Sequence, residues 1–286
     1  MIYDAAVIGT GPAGVSAALT LKANNKEFLL LGNPDFSDKV GRAERIANYP
    51  GLSMVTGAEM NEAFGKQLRE AGIAVTDRMV TSVVWTGDHY ALMAGADFYE
   101  AYTVILTTGV AATGTLPGEA ELVGRGVSYC ATCDGNLYRG KTIGVICGAA
   151  RFEHEAAFLA GLAKKMYFFP LYQSAASFGE NTEVTADRPV AVLSDGKRVS
   201  GVKLKSGTEL ALDGLFCLRD SVSLAALLPD LAMEDGHIAT DRSMKTNLPG
   251  CFAAGDCTGR PYQYVKAAGE GNVAAHSAIA YLAGKQ

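Results

Sequence analysis

The stretch Ala5-Ala6-Val7-Ile8-Gly9-Thr10-Gly11-Pro12-Ala13-Gly14 restricts the fold more than any other part of the chain. Four apolar residues, enough for a strand buried on both faces, run directly into G-x-G-x-x-G. Val15 to Ala23 has helical composition, and Phe28-Leu29-Leu30-Leu31 is a second buried strand. Strand, tight turn, helix and strand form the setting in which this spacing binds a dinucleotide. The glycines permit the turn and a close backbone approach, and the helix N-terminus faces a pyrophosphate. The candidate cofactor positions here are Gly9, Thr10, Gly11, Pro12, Ala13 and Gly14. An acidic residue is expected to end the second strand and hold a ribose. That strand runs into Gly32-Asn33-Pro34-Asp35, which makes Asp35 the candidate and Asn33 a weaker one.

The pattern then recurs. Residues 142–146 read as a strand, 153–163 as a helix and 166–169 as a strand, and a shift of 138 positions lays Ile8 on Ile146 and Leu31 on Phe169. A second βαβ unit is therefore expected, giving an α/β protein with two Rossmann-like, three-layer nucleotide-binding domains. The second unit has lost its glycines: Gly9 falls on Cys147, Gly11 on Ala149 and Gly14 on Phe152. An NADP site also wants a base after the second strand. From Met166 to Asp187 there is no Lys or Arg, while Glu180, Glu183 and Asp187 are acidic. The fold unit is expected to persist without its nucleotide.

Between the two units lies Cys130-Ala131-Thr132-Cys133-Asp134. Two cysteines three apart close a small disulfide ring or open to a dithiol, which makes them a two-electron store. The adjacent carboxylate can shuttle the proton that each opening requires. A zinc site would need a second ligand pair. Cys147, Cys217, Cys251 and Cys257 form no C-x-x-C and the four histidines no H-x-x-x-H, so no metal is expected. A net charge of −5 argues against nucleic-acid binding. No apolar run reaches the roughly eighteen residues of a membrane span. Met1-Ile2-Tyr3-Asp4 leads straight into a strand without a basic stretch or a cleavage site, so a cytoplasmic protein is expected.

Elsewhere, residues 59–71 have helical spacing with Met60, Phe64 and Leu68 on one face. Residues 80–84, 89–93 and 98–103 read as antiparallel strands, and 104–108 as a separate buried strand ending at Gly109. Thr113-Gly114 and Leu116-Pro117-Gly118 read as a linker. A short strand ends at Gly255-Asp256, and residues 263–282 contain a helix rich in small residues, suited to pressing against a cofactor.

Gly9 to Gly14, Asn48-Tyr49-Pro50-Gly51, Cys130 to Asp134, Gly255-Asp256 and Gln263, in this order, resemble the low-molecular-weight thioredoxin reductases over essentially the whole chain. The resemblance implies a homodimer whose FAD domain, residues 1–113 and 241–286, is interrupted by an inserted domain, residues 114–240, that carries the disulfide and normally binds NADPH. To the glycine-rich turn it adds Gly32, Asn33, Asp35, Lys39, Asn48, Val80, Thr108, Gly109, Gly255, Asp256, Gln263 and Tyr264 as FAD-binding positions. It implies that Cys133 lies against the flavin, that Cys130 attacks the disulfide of thioredoxin, and that Asp134 moves protons. The sequence departs from the family where NADPH would bind. The family's basic run after the second strand is matched by Pro170-Leu171-Tyr172-Gln173, with no base left, and its later glycine-proline segment is replaced by Leu218-Arg219-Asp220-Ser221-Val222. That combination looks like the ferredoxin-dependent flavin thioredoxin reductases, a pyridine-nucleotide-independent branch. The basic stretch Lys39, Arg42, Arg45 is then the expected docking face for an acidic ferredoxin. An ordinary NADPH enzyme, a flavin-dependent disulfide oxidase and a non-enzymatic FAD-binding regulator are the alternatives.

Overall fold

A computed structural model describes residues 1–285 apart from Arg42, residues 110–115 and residues 220–223; the side chains of Asp38, Cys133, Ala225 and Ala226 also lie outside the description. In chain order the first elements are β1 (Ile2–Ile8), α1 (Pro12–Ala23), β2 (Phe28–Leu31), α2 (Asp38–Gly41), α3 (Gly57–Glu70), β3 (Val75–Thr76), β4 (Val80–Trp85), β5 (Tyr90–Ala94) and β6 (Asp97–Leu106). Then come β7 (Val127–Ser128), α4 (Ala131–Asp134), β8 (Thr142–Cys147), α5 (Glu153–Leu162), β9 (Lys165–Pro170), β10 (Thr182–Val184), β11 (Pro189–Ser194), β12 (Val199–Leu204), β13 (Glu209–Ala211) and β14 (Gly214–Leu218). The chain closes with α6 (Leu224–Leu227), β15 (Met233–Glu234), β16 (His237–Ile238), β17 (Cys251–Ala253) and α7 (Tyr264–Ala283). Two compact units result: residues 1–112 with 228–286, and residues 113–227.

In the first unit β1 pairs in parallel with β2 and β6, while β3 and β17 extend the sheet beyond them. The antiparallel strands β4 and β5 continue it from β6. The two strands expected at 98–103 and 104–108 are one, the ten-residue β6. Its first half pairs with β5 and its last three residues with β17, so burial changes from partial to complete along a single strand. The change in hydrophobic pattern marks a change of partner and not a break.

Helices α1, α3 and α7 share one core with this sheet. Helix α3 starts in a reciprocal capping box: Glu59 N donates to Thr56 Oγ1 at 3.2 Å and Thr56 N to Glu59 Oε2 at 2.7 Å. Its Met60, Phe64 and Leu68 are buried, as the spacing predicts. The α1–α7 contact is built from Ala13, Ala17, Ala274 and Ala278, and Asn272 Nδ2 donates to Thr20 Oγ1 at 2.9 Å. Residues 228–240, expected with the inserted domain, make their contacts in the first unit. Ala232 N donates to Asn247 Oδ1 at 2.8 Å, and His237 Nε2 lies 2.6 Å from the Tyr262 hydroxyl.

The second unit carries a parallel sheet in the order β10-β9-β8-β14-β7 and an antiparallel sheet β11-β12-β13. Helix α5 packs its Ala156 and Leu159 among Val145, Phe168 and Phe216. Among the described residues no helix is long and apolar enough to cross a membrane.

Two glycines of α7 test the close packing of the first unit. A Cβ at Gly271 would collide with the backbone of Ala13, whereas one at Gly269 would meet nothing within 4 Å. Gly271→Ala should cost about 1–3 kcal/mol in urea unfolding. Gly269→Ala should be neutral or add up to about 1 kcal/mol.

Candidate cofactor cradle and redox turn

The glycine-rich turn separates two jobs. Gly9 leaves β1 at φ 118°, and a side chain there would run into the Thr107 carbonyl. Gly14 packs against the Gly9 carbonyl, again with no space for a Cβ. The Thr107 hydroxyl fixes this junction, donating to Ile8 O at 2.9 Å with Gly9 O at 3.0 Å. Gly11 is different. It is the N-cap of α1, with Pro12 opening the helix, and among the described residues beyond its chain neighbours a Cβ on it would meet nothing within 4 Å. Gly9 and Gly14 serve the fold, while Gly11 leaves open ground at the helix N-terminus, where a pyrophosphate needs space.

The end of β2 is tied to this turn. Thr10 Oγ1 donates to Asn33 O at 2.8 Å, and Gly32, at φ 150°, packs against the Thr10 side chain. Asn33 Oδ1 accepts from Asp35 N at 2.9 Å, an Asx turn that leaves Asp35 exposed.

Residues far apart in sequence close the rim. Lys39 pairs with Asp256 and stands 5.0 Å over the Tyr262 ring. Asn48 Nδ2 donates to Gln263 Oε1 at 2.8 Å, and Tyr264 opens α7. Gly255, at φ 90°, lies against Ala13. Three residues beyond β6, Gly109 adopts φ 66°, and among the described residues a Cβ on it would meet nothing within 4 Å. Beside it the buried Thr108 hydroxyl has the Cys257 thiol as its polar neighbour and, among the described residues, no oxygen or nitrogen partner. Val80 buries its side chain and sits on the edge strand β4, so it can offer a ligand only its backbone. Open ground at Gly11, the positive-φ turn at Gly109 and a polar rim fit an elongated dinucleotide.

Lys39 is therefore engaged with the cradle and not presented as a free docking charge. Arg42 lies outside the described residues, and Arg45 reaches the Met54 sulfur at 3.4 Å.

Sequence spacing alone does not single out Lys266 and Glu270, yet they hold the Gly255–Gly259 loop. Lys266 Nζ donates to Gly255 O and Gly259 O, both at 2.8 Å, and lies 3.0 Å from Glu270 Oε2. Glu270 Oε2 accepts from Gly255 N at 2.9 Å. An i, i+4 ion pair is the available signal, but such pairs are common on solvent-facing helices.

The second βαβ turn has another content. Where α1 begins at Pro12, the corresponding stretch Ala150–Phe152 is a 3-10 turn, and α5 starts only at Glu153. Phe152, standing where Gly14 would, is partly buried against the core of the second unit. The Glu153 carboxylate folds onto the loop after β9, accepting from Tyr172 OH at 2.6 Å and Ser174 Oγ at 2.7 Å. Those two hydroxyls hold Glu153 below the usual carboxylate range. Gly148 packs against Arg219, which pairs with Glu119; the latter also accepts from Tyr129 OH at 2.7 Å.

The redox turn belongs to the second unit. Cys130 is disulfide-bonded, and the Cys133 side chain lies outside the described residues. Ser128, on β7, joins both ends of the turn: its Oγ donates to Asp134 Oδ2 at 2.7 Å and accepts from Cys130 N at 3.1 Å. Cys147, Cys217, Cys251 and Cys257 are free and buried. Burial pushes Cys217 and Cys251 up to about 12 and Cys257 to about 11, which suits inert thiols. Among the described residues no cluster could hold a metal ion.

Residues 3–166 and 177–271 match the family model of the pyridine nucleotide-disulphide oxidoreductases. A thioredoxin reductase of Listeria innocua is 31% identical over 98% of this chain and 94% of its own length. Among solved structures, a ferredoxin-flavin thioredoxin reductase from Clostridium acetobutylicum superposes with a TM-score of 0.93 at 44% identity, covering 100% of this chain and 99% of the other. A thioredoxin reductase from Gloeobacter violaceus gives 0.81 at 26% identity, covering 99% and 95%. With the dinucleotide cradle and the disulfide turn both in place, the chain belongs to the pyridine nucleotide-disulphide oxidoreductase family, among its thioredoxin reductases.

Proposed function

We propose that this FAD-dependent thioredoxin reductase draws its electrons from reduced ferredoxin and not from NADPH. The observation that carries the reading is the content of the second βαβ turn. A nucleotide phosphate brought there would meet the Glu153 carboxylate at the start of α5, held by Tyr172 and Ser174 from the loop that should supply a base. Ala149 adds a methyl where a pyrophosphate needs bare backbone. The Clostridium acetobutylicum relative, a ferredoxin-flavin thioredoxin reductase, supports the same reading.

In the first unit, Gly11 and the α1 N-terminus would hold the pyrophosphate, and the turn from Asn33 to Asp35 the ribose. Lys39, Asn48, Thr108, Gly109, Asp256, Gln263 and Tyr264 would line the remainder. Bound FAD supplies the conversion between the single electrons of an iron–sulfur donor and the electron pair a disulfide takes. Cys133 is the sulfur that exchanges with the cofactor side, and Cys130 the one that attacks the thioredoxin disulfide. Asp134 delivers and recovers the proton. The route is downhill: low-potential ferredoxins lie near about −400 mV and thioredoxin near about −270 mV. Over two electrons that gap is roughly 6 kcal/mol. A homodimeric, cytoplasmic enzyme is part of the same reading.

Three measurements test it. Under anaerobic conditions, reduced ferredoxin should bleach the flavin and sustain thioredoxin turnover, whereas millimolar NADPH should leave it oxidised. Rapid, saturable bleaching by NADPH would overturn the assignment. Cys130→Ser should abolish thioredoxin reduction while ferredoxin still reduces the flavin. Gly11→Ala should weaken FAD binding by roughly tenfold or more, about 1.4 kcal/mol, in titrations of the apoprotein, and leave apoprotein unfolding unchanged.

A further inference from the structure

The disulfide and Asp134 do not stand alone. The Ser128 hydroxyl is buried at 4% exposure and lies within hydrogen-bond distance of three groups: Asp134 Oδ2 at 2.7 Å, Cys130 N at 3.1 Å and Cys130 O at 3.2 Å. It is carried on β7, which pairs with β14 through Phe216, so its position is fixed by the sheet and not by the redox turn. From this geometry we infer that Ser128 is a positioning residue that holds Asp134 in register with Cys130 in both protonation states of the carboxyl. The inference rests on the proton-carrying role of Asp134 proposed above.

The hydrogen count supports it. With Asp134 ionised, the single Ser128 hydroxyl hydrogen goes to Oδ2, and Oγ accepts from Cys130 N–H. With Asp134 protonated, its own O–H donates to Oγ, and the Ser128 hydrogen turns to Cys130 O. Each state leaves every group paired, so no buried polar atom is stranded as the proton moves. The proton demand is real. Reducing the disulfide breaks one S–S bond, takes two electrons from the flavin and two protons, and leaves two thiols; Asp134 passes one of those protons. Neighbouring ionisable groups are otherwise committed. Tyr138 is raised by burial and, next, by Asp134. Glu155 from α5 is pushed up by burial and faces the Ala131 amide, with His154 beside it. Tyr129 turns its hydroxyl to Glu119 in the buried pair with Arg219.

The test is the pH dependence of Cys130 alkylation by iodoacetamide in the reduced holoenzyme, followed by mass spectrometry. Removing a donor from an ionised carboxylate favours its protonated form. With that donor gone Asp134 is no longer held in register with Cys130, so Ser128→Ala should displace the profile by about one unit or more. Ser128→Thr, which keeps the hydroxyl, should restore it, and Ser128→Ala should add nothing in an Asp134→Asn background. An unchanged profile in Ser128→Ala beside an altered one in Asp134→Asn would overturn the role of Ser128 and leave that of Asp134 standing. An unchanged profile in Asp134→Asn would overturn the proton role of Asp134 and this inference with it.

Discussion

The first unit depends on a contact between backbones. The Gly9 carbonyl lies where any side chain on Gly14 would have to go, and the Thr107 carbonyl closes off Gly9 in the same way. This lets β1, the end of β6 and α1 meet without intervening side chains, which points the α1 N-terminus at the open ground beside Gly11. Ala13, one residue before Gly14, offers its backbone to Gly271 of α7. The same small-residue packing thereby brings α7 alongside α1 and sets Gly255 against Ala13. The glycines are needed less for flexibility than for the distance at which these elements meet.

The second unit shows what happens when that contact is given up. The parallel order of β9, β8 and β14 survives because it rests on buried strands such as the all-buried Gly214–Leu218. The glycine-rich turn is not repeated, and a 3-10 turn at Ala150–Phe152 stands in its place. Burial of apolar strands is non-directional and tolerates replacement. A phosphate cradle demands backbone amides at close range and an absence of negative charge. On the reading proposed above, Phe152, Ala149 and the Glu153 carboxylate would remove these conditions without disturbing the sheet.

The cysteines divide along a similar physical line. Four thiols are buried, and burial raises each of them, so they do not offer thiolate near neutral pH. Cys130 is only partly buried, and the Ser128 hydroxyl links its backbone amide to the Asp134 carboxylate. Chemistry at the redox turn follows from its polar surroundings as much as from the C-x-x-C spacing.

Local pattern in the sequence was enough to read the two βαβ units, the α3 face of Met60, Phe64 and Leu68, and the positions of the glycine-rich turn and of the cysteine pair. These signals are legible because each is enforced by neighbours a few residues away. Tertiary structure alone decided the continuity of β6, since one strand can change partners without any break in the chain. It alone decided that residues 228–240 join the first unit, that Lys39 turns to Asp256, and that Lys266 and Glu270 clamp the Gly255 loop. The hydroxyl of Ser128 between Cys130 and Asp134, and the carboxylate of Glu153 under Tyr172 and Ser174, belong with these. Such contacts depend on side-chain direction and on strands that meet only after folding, which residue spacing does not encode.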